Sequence, residues 1–296
     1  MEGLCELPEG CIAHVLSLTG PRDACRSSLV SSTFKSAAES DVVWESFLPP
    51  EYKSIIATSA SPSALPFTSK KDLFLSLCHN PILIDDGNKS FSLDKWSGKK
   101  CYMISARDLM IVWGNTPTYW RWISLPEARF AEVAELKSVC WLEVRGRINT
   151  RMLSPTTLYA AYLVFKAATT TRPYGFEFQP VEAEIGLIGS ESCKRTVYLD
   201  IERGQRQQYQ IVPRHVGRVG HFTWNRMLGL QASVPAERNL QYPKDRGDKW
   251  FEIELGDFYN EGGDQGELEI SVLEVVGGYW KGGIIIQGID IRPKVG

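Results

Sequence analysis

Tryptophan is the residue type whose spacing here most invites a chemical reading. Trp113, Trp120 and Trp122 fall close together, and an indole held at a surface offers an apolar stacking face and one N–H donor, beside which carboxylates and amides can read polar groups. The same rings also serve as filling for a β-sandwich core, and the sequence leaves both uses open. Trp120 and Trp122 alternate, so a strand through them sets both rings on one face and Arg121 on the other. Glu252 and Glu254 alternate in the same way. Two carboxylates on one strand face are not thereby a glycosidase pair, which must flank a glycosidic bond and include an acid of raised pKa.

Other chemistry has little to build on. The four histidines, His14, His79, His215 and His221, form no HExxH pattern. The seven cysteines, at 5, 11, 25, 78, 101, 140 and 193, show neither paired-thiolate zinc spacing nor a compact disulfide framework. They read as reduced, mostly buried small hydrophobes of a protein of the cytoplasm or nucleus. There is no GxSxG elbow, no P-loop and no convincing cysteine–histidine pair. A non-catalytic protein without metal or cofactor is the expectation.

A formal charge of -2, from 33 Lys+Arg against 35 Asp+Glu, argues against a general nucleic-acid binder. Between Arg203 and Arg226 the chain carries Arg206, Arg214 and Arg218 and no acidic residue. This stretch reads as a solvated variable loop, with a basic collar for phosphate, acidic cargo or nucleic acid as the alternative. The start has no cationic region leading into an apolar run, and apolar stretches elsewhere are short and broken by charge, so neither secretion nor membrane spanning is expected.

The elements that must position these residues divide in two. The first fifty residues read as short helices. Leu7, Pro8 and Glu9 open one whose stripe is Ile12, Val15 and Leu16, and Gly20-Pro21 stops it. Asp23 suits a cap for a second, carrying Cys25, Leu29 and Val30, and Ser31 or Ser32 for a third, with Phe34 and Ala37 inward. Helices this short bury too little to be stable alone, so a partner is expected. Residues 54–68 are rich in Ser and Pro and read as a linker, after which Ser69 caps a bridging helix with Leu73, Phe74 and Leu77 on one stripe. From about residue 82 the period is that of strands separated by Gly, Pro and Asp turns, which favours a mainly antiparallel β-sandwich. One helical interruption is expected over 126–137, through Phe130, Val133, Ala134 and Leu136.

Leu7-Pro8-Glu9, Ile12, Val15-Leu16, Leu29-Val30-Ser31, Phe34 and Trp44 together resemble the F-box pattern. The C-terminal two-thirds resembles the phloem protein 2 family, which includes the tobacco jasmonate-induced lectin. The matching stretches include Cys101-Tyr-Met-Ile-Ser-Ala-Arg-Asp-Leu109, Ile111-Val-Trp-Gly-Asn-Thr-Pro-Thr-Tyr-Trp-Arg-Trp122, Val139-Cys-Trp-Leu-Glu-Val-Arg-Gly146, Gly277-Gly-Tyr-Trp-Lys-Gly-Gly283 and Gln287-Gly-Ile-Asp-Ile-Arg-Pro-Lys294. The resemblance implies an all-α F-box over 1–50, a linker and bridging helix over 51–81 and a jelly-roll-like lectin sandwich with short helices over 82–296. It implies that Leu7, Pro8, Ile12, Val15, Leu16, Leu29 and Val30 hold a Skp1-type adaptor and through it a cullin ligase. It implies further that Trp113 and Trp120, with Trp122 as an ambiguous third ring, bind N-acetylglucosamine oligomers or N-glycan cores. A peptide receptor that has lost sugar binding is the alternative.

Overall fold

The computed structural model describes residues 7–59, 67–177, 179–203, 241–263 and 266–294. Its helical part runs α1 (Glu9–Ser17), α2 (Pro21–Ser27), α3 (Ser32–Glu39), α4 (Asp41–Phe47), α5 (Tyr52–Ala57) and α6 (Lys70–His79). Punctuation residues set these bounds. Pro21 fixes the first turn of α2, where an absent N–H costs nothing, so the pair that ends α1 also starts the next helix. Gly20, not Asp23, is the residue before that helix, and Asp23 sits in its first turn. Ser31 caps α3 by accepting from the Phe34 amide at 3.2 Å, and Ser69 caps α6 by accepting from the Asp72 amide at 3.1 Å. The stretch read as a linker opens on α5, whose Tyr52 is buried and whose Ile55 and Ile56 pack on the core. Residues 60–66 of it lie outside the described residues.

The strands are β1 (Ile82–Ile84), β2 (Lys89–Leu93), β3 (Lys100–Ser105), β4 (Met110–Ile111), β5 (Trp120–Ile123), β6 (Val133–Leu136), β7 (Leu142–Asn149), β8 (Thr157–Ala167), β9 (Val181–Leu187), β10 (Cys193–Val197), β11 (Lys244–Asp245), β12 (Phe251–Asn260), β13 (Glu267–Glu274) and β14 (Ile284–Pro293). They form two open antiparallel sheets. The larger runs β1-β2-β3-β14-β8-β12-β11, with β6 also on β14 and β5 on β6; the smaller runs β10-β9-β13-β7-β4. Alternation puts Leu142, Val144 and Ile148 of β7 and Leu268, Ile270 and Val272 of β13 inward. They share one core with Leu163, Leu255, Ile289 and Ile291 of the larger sheet. β14 is buried on both faces because its outer side, with Met103, Val164 and Trp250, lies under Phe130, which explains the apolar run of Ile284, Ile285 and Ile286 at its start.

The helix expected over 126–137 is absent. Val133 to Leu136 instead form β6, clamped between Trp120–Ile123 on one side and Ile284–Ile286 on the other. All four of its residues are buried, and two-sided burial gives an apolar spacing that imitates a helical stripe.

The partner that the short helices need is the sandwich itself. Leu73, Phe74 and Leu77 of α6 are fully buried, with α4 on one side and β2 on the other. Trp44 of α4 packs against Phe74, their ring centroids 5.3 Å apart and tilted by 53°, and donates its indole N–H to the Ala38 carbonyl at 2.7 Å. Helical and sheet residues thus belong to one continuous core. At the seam Gly98 has φ +70°, and a Cβ there would sit 3.1 Å from the Phe47 carbonyl oxygen, so only glycine admits so close an approach at low cost. Lys100 of β3, almost wholly buried, meets Glu51 across the same seam at 2.6 Å.

Candidate recognition site

Among the described residues, the candidate apolar groups that reach solvent lie on the helices and at an end of the sandwich. On the helices the candidate adaptor residues divide by face. Ile12 and Leu16 point into the core, with 2% and 3% of their surface exposed. Leu7, Pro8, Val15, Leu29 and Val30 point outward, Leu29 with 86% of its surface free. A stripe of i, i+3 and i+4 residues is wider than one contact, so its edge faces outward while its centre packs inward. Ile12 and Leu16 accordingly hold the helices together, and the exposed set is available to a partner.

The three candidate tryptophans are not one platform. Trp120, on β5, is 2% exposed and belongs to the core, so its face is closed to any ligand. Trp122, on the same strand face, is half-buried; the Arg107 guanidinium covers its ring at 3.7 Å, and its indole N–H donates to the Gly114 carbonyl at 3.0 Å. Arg121 points the other way and pairs with Glu135. Trp113 is exposed. It follows β4 in the left-handed region, φ +57°, and lies against Tyr119 with ring centroids 5.2 Å apart.

Backbone pairing gathers other aromatic groups at Trp113's end of the sandwich. The Val112 amide donates to the Glu143 carbonyl at 3.1 Å, and Val139 and Lys281 exchange hydrogen bonds at 2.9 and 2.8 Å. Residues 112–119, 137–143 and 276–282 therefore run side by side, presenting Trp113, Trp141, Tyr279 and Trp280 to solvent. Beneath them the fully buried Lys281 ammonium pairs with Glu274 and donates to the carbonyls of Cys140 at 3.2 Å and Tyr279 at 2.7 Å. Glu274 also accepts from the Gly277 amide at 2.9 Å. A buried charge without partners would cost several kcal/mol, roughly, so this one holds the 276–280 loop in place.

A carboxylate stands beside the rings. Trp141 donates its indole N–H to Glu143 at 3.0 Å, and Arg145 reaches the other oxygen at 2.8 Å. The Arg145 hydrogen bond, then that of Trp141, holds the Glu143 carboxyl below its ordinary range. An ionised acceptor next to an exposed indole is the pairing that polyol recognition uses: one surface for C–H groups, one for hydroxyls. Trp141, Tyr279 and Trp280 were not singled out by sequence spacing; the signal available was the pair of flanking glycine doublets around Tyr279 and Trp280.

Glu252 and Glu254 are engaged elsewhere. Arg246 and Arg292 bind Glu252 at 2.9 and 2.5 Å, and Arg195 and Lys294 bind Glu254 at 2.6 and 2.8 Å. Burial works to raise the Glu254 carboxyl, but its hydrogen bonds to Lys294 and Arg195 outweigh it and the net shift is downward, the opposite of what a general acid needs. Asp290 behaves alike, with burial opposed and outweighed by Arg246 and Arg292. Cys78, Cys101 and Cys140 are partly buried, as expected of small hydrophobes, whereas Cys11, Cys25 and Cys193 are exposed against that expectation, all as free thiols; Cys5 lies outside the described residues. So do Arg206, Arg214, Arg218, Arg226, His215 and His221, whereas Arg203 lies over the Tyr242 ring at 5.2 Å. Among the described residues no three potential ligands gather for a metal, and no helix is long and apolar enough to cross a membrane.

Residues 4–46 match the F-box domain and residues 99–293 match Phloem protein 2. The chain is 46% identical to F-box protein PP2-B1 of Arabidopsis thaliana, over 97% of this chain and 89% of that protein. It is 45% identical to F-box protein PP2-B10 of the same plant, over 97% and 92%. Solved structures that overlay on it are distant, such as a TmCBM61 module in complex with β-1,4-galactotriose at 8% identity, 63% of this chain, 87% of that one and a TM-score of 0.27, and none bears on the ligand. With an F-box at its start and a phloem protein 2 domain over the rest, the chain belongs to the phloem protein 2 family, among the members that carry an F-box.

Proposed function

We propose that this protein is the substrate-recognition subunit of an SCF-type ubiquitin ligase, acting in the cytoplasm or nucleus. The observation that carries the reading is the outward apolar set Leu7, Val15, Leu29 and Val30 on an F-box already packed from behind by the sandwich. Such a patch stands ready for a protein partner, and the F-box match supports a Skp1-type adaptor in that role. Ubiquitin transfer then belongs to other subunits, and this chain contributes proximity by holding cargo near them.

Cargo is bound through the aromatic end of the sandwich. Trp113, Trp141, Tyr279 and Trp280 supply stacking surfaces and Glu143 an acceptor, a set suited to N-glycan cores or N-acetylglucosamine oligomers. A loop of exposed aromatic groups also suits an extended peptide, so a non-lectin receptor in the same ligase is the second reading. The test uses the whole chain co-expressed with a Skp1-type adaptor, because cutting before the sandwich would strip α6 from β2. Co-purification checks the first half. Calorimetric titration with chitotriose and a glycan array check the second: saturable binding is expected, and a silent array beside specific peptide capture would replace the glycan reading by the peptide one.

A further inference from the structure

Trp96 belongs to neither surface described above. It is 54% exposed on the turn between β2 and β3, and that turn holds it in place. The Asp94 carboxylate accepts from the Trp96 and Ser97 amides at 3.2 and 2.8 Å and from the Ser97 hydroxyl at 2.6 Å. The Gly98 and Asp94 amides close the loop on the carbonyls of Asp94 and Lys99, both at 2.8 Å. An exposed indole on a rigid turn loses little freedom when covered, and tryptophan is enriched at the centres of protein interfaces.

The turn lies against the F-box where α1 gives way to α2. A Cβ on Gly20 would sit 3.9 Å from the Trp96 carbonyl oxygen, and the Arg22 guanidinium is 5.6 Å from the Trp96 ring centroid. Two outward stripes converge there. Val15 on α1 and Leu18, three residues on, are both exposed. On α2 the exposed Arg22 and Arg26 share a face, which Leu29 continues about 10 Å along the axis from Arg22. Trp96 therefore carries the outward set of the F-box onto the sandwich. Charge bears on what meets it. The Lys95 ammonium lies 5.4 Å from the same ring centroid. Of the two carboxylates on these segments, Asp23 is engaged by Arg26 at 3.9 Å and Asp94 by its own turn, which leaves Arg22 and Lys95 to the indole.

We propose, on the reading of the F-box as adaptor-binding given above, that Trp96 with Arg22 and Lys95 is a second point of contact for the Skp1-type adaptor and receives an acidic segment of it that carries an apolar side chain. An adaptor held there touches the sandwich as well as the helices, so its affinity for the whole chain exceeds what the F-box patch alone supplies.

The test titrates a separately purified Skp1-type adaptor into the whole chain by calorimetry. Trp96→Ala should weaken binding about tenfold with the unfolding midpoint unchanged, and Trp96→Phe, which keeps a ring, by less than about threefold. Arg22→Glu with Lys95→Glu should weaken it about tenfold at about 50 mM salt and much less at about 500 mM, where screening hides the charges. Should Trp96→Ala lower the midpoint, that charge-reversed variant, changed only at solvated positions, reads the same surface. Parent-like binding by Trp96→Ala, beside loss of binding in Val15→Asp with Leu29→Asp, would leave the adaptor on the F-box and strike the Trp96 contact alone; a parent chain that does not bind adaptor would strike both. Equal salt dependence in the parent and the charge-reversed variant overturns the acidic segment. A Trp96→Ala chain that keeps the adaptor but loses binding to vesicles of phosphatidylcholine with phosphatidylserine would assign the ring to an anionic lipid surface instead.

Discussion

Trp120 and Trp141 carry the same side chain to opposite ends, one sealing the core and one facing solvent beside a carboxylate. Truncating Trp120 opens a cavity among residues that relax only in part, so Trp120→Ala should cost ~3–5 kcal/mol of stability, read as a lowered denaturant midpoint. Trp141→Ala and Trp280→Ala remove contacts made to ligand rather than to the core. Each should leave the midpoint nearly unchanged and weaken chitotriose by about 1 kcal/mol or more, roughly fivefold. Equal chitotriose isotherms for parent and both variants would move cargo recognition away from this end of the sandwich. Alternation along one strand was legible for Trp120 and Trp122, but which face of β5 lies inward depends on its pairing with β6. That pairing is hidden because the apolar spacing of β6 imitates a helical stripe. For Trp141 and Trp280, exposure arises from backbone bridges between segments far apart in sequence, and no local pattern encodes such a meeting.

At the scale of elements, α1 shows how a correct pattern can be assigned to the wrong neighbour. Its apolar stripe was readable, as were the caps at Ser31 and Ser69, because these depend on residues within one turn. What the stripe could not tell is that its centre packs on α3 and α4 while its edge faces out. Val15→Asp with Leu29→Asp should therefore reduce co-purification with a Skp1-type adaptor at least tenfold, roughly, since each carboxylate would lose its water in the complex. Both positions are solvated in the free chain, so circular dichroism and the unfolding midpoint should match the parent. Ile12→Asp behaves differently: it buries a charge without a partner and should unfold the helical part at a cost on the order of 4 kcal/mol or more. If Ile12→Asp proves as stable as the parent yet fails to bind adaptor, the inward placement of that residue is wrong.

The molecule as a whole unites two folding patterns, helical and strand-like, that the sequence shows as separate blocks joined by a Ser- and Pro-rich stretch. Composition marks where the chain changes period; it does not reveal that α6 returns to fill the space between α4 and β2, because the residues that meet there belong to different blocks. One consequence is that the whole chain should unfold in a single transition, and that residues 1–59 alone should show little helix by circular dichroism. A second concerns acid. Burial works to raise the Glu51 carboxyl, but the hydrogen bond and charge of Lys100 outweigh it, so its pKa in the folded protein lies below the ordinary value. A carboxyl lowered by folding binds protons more readily when unfolded, so its stabilisation is complete above the unfolded-state pKa and disappears as pH falls through the folded one. Glu51 is partly exposed, which leaves its contribution modest and screened by salt. Glu51→Gln should lower the midpoint at pH 7, and the gap between variant and parent should narrow steadily as the buffer is taken from pH 5 toward pH 3. Unfolding midpoints measured across that series decide the matter: a gap that stays constant with pH would mean that the seam owes nothing to the ionised form of Glu51 and is held by its apolar packing alone.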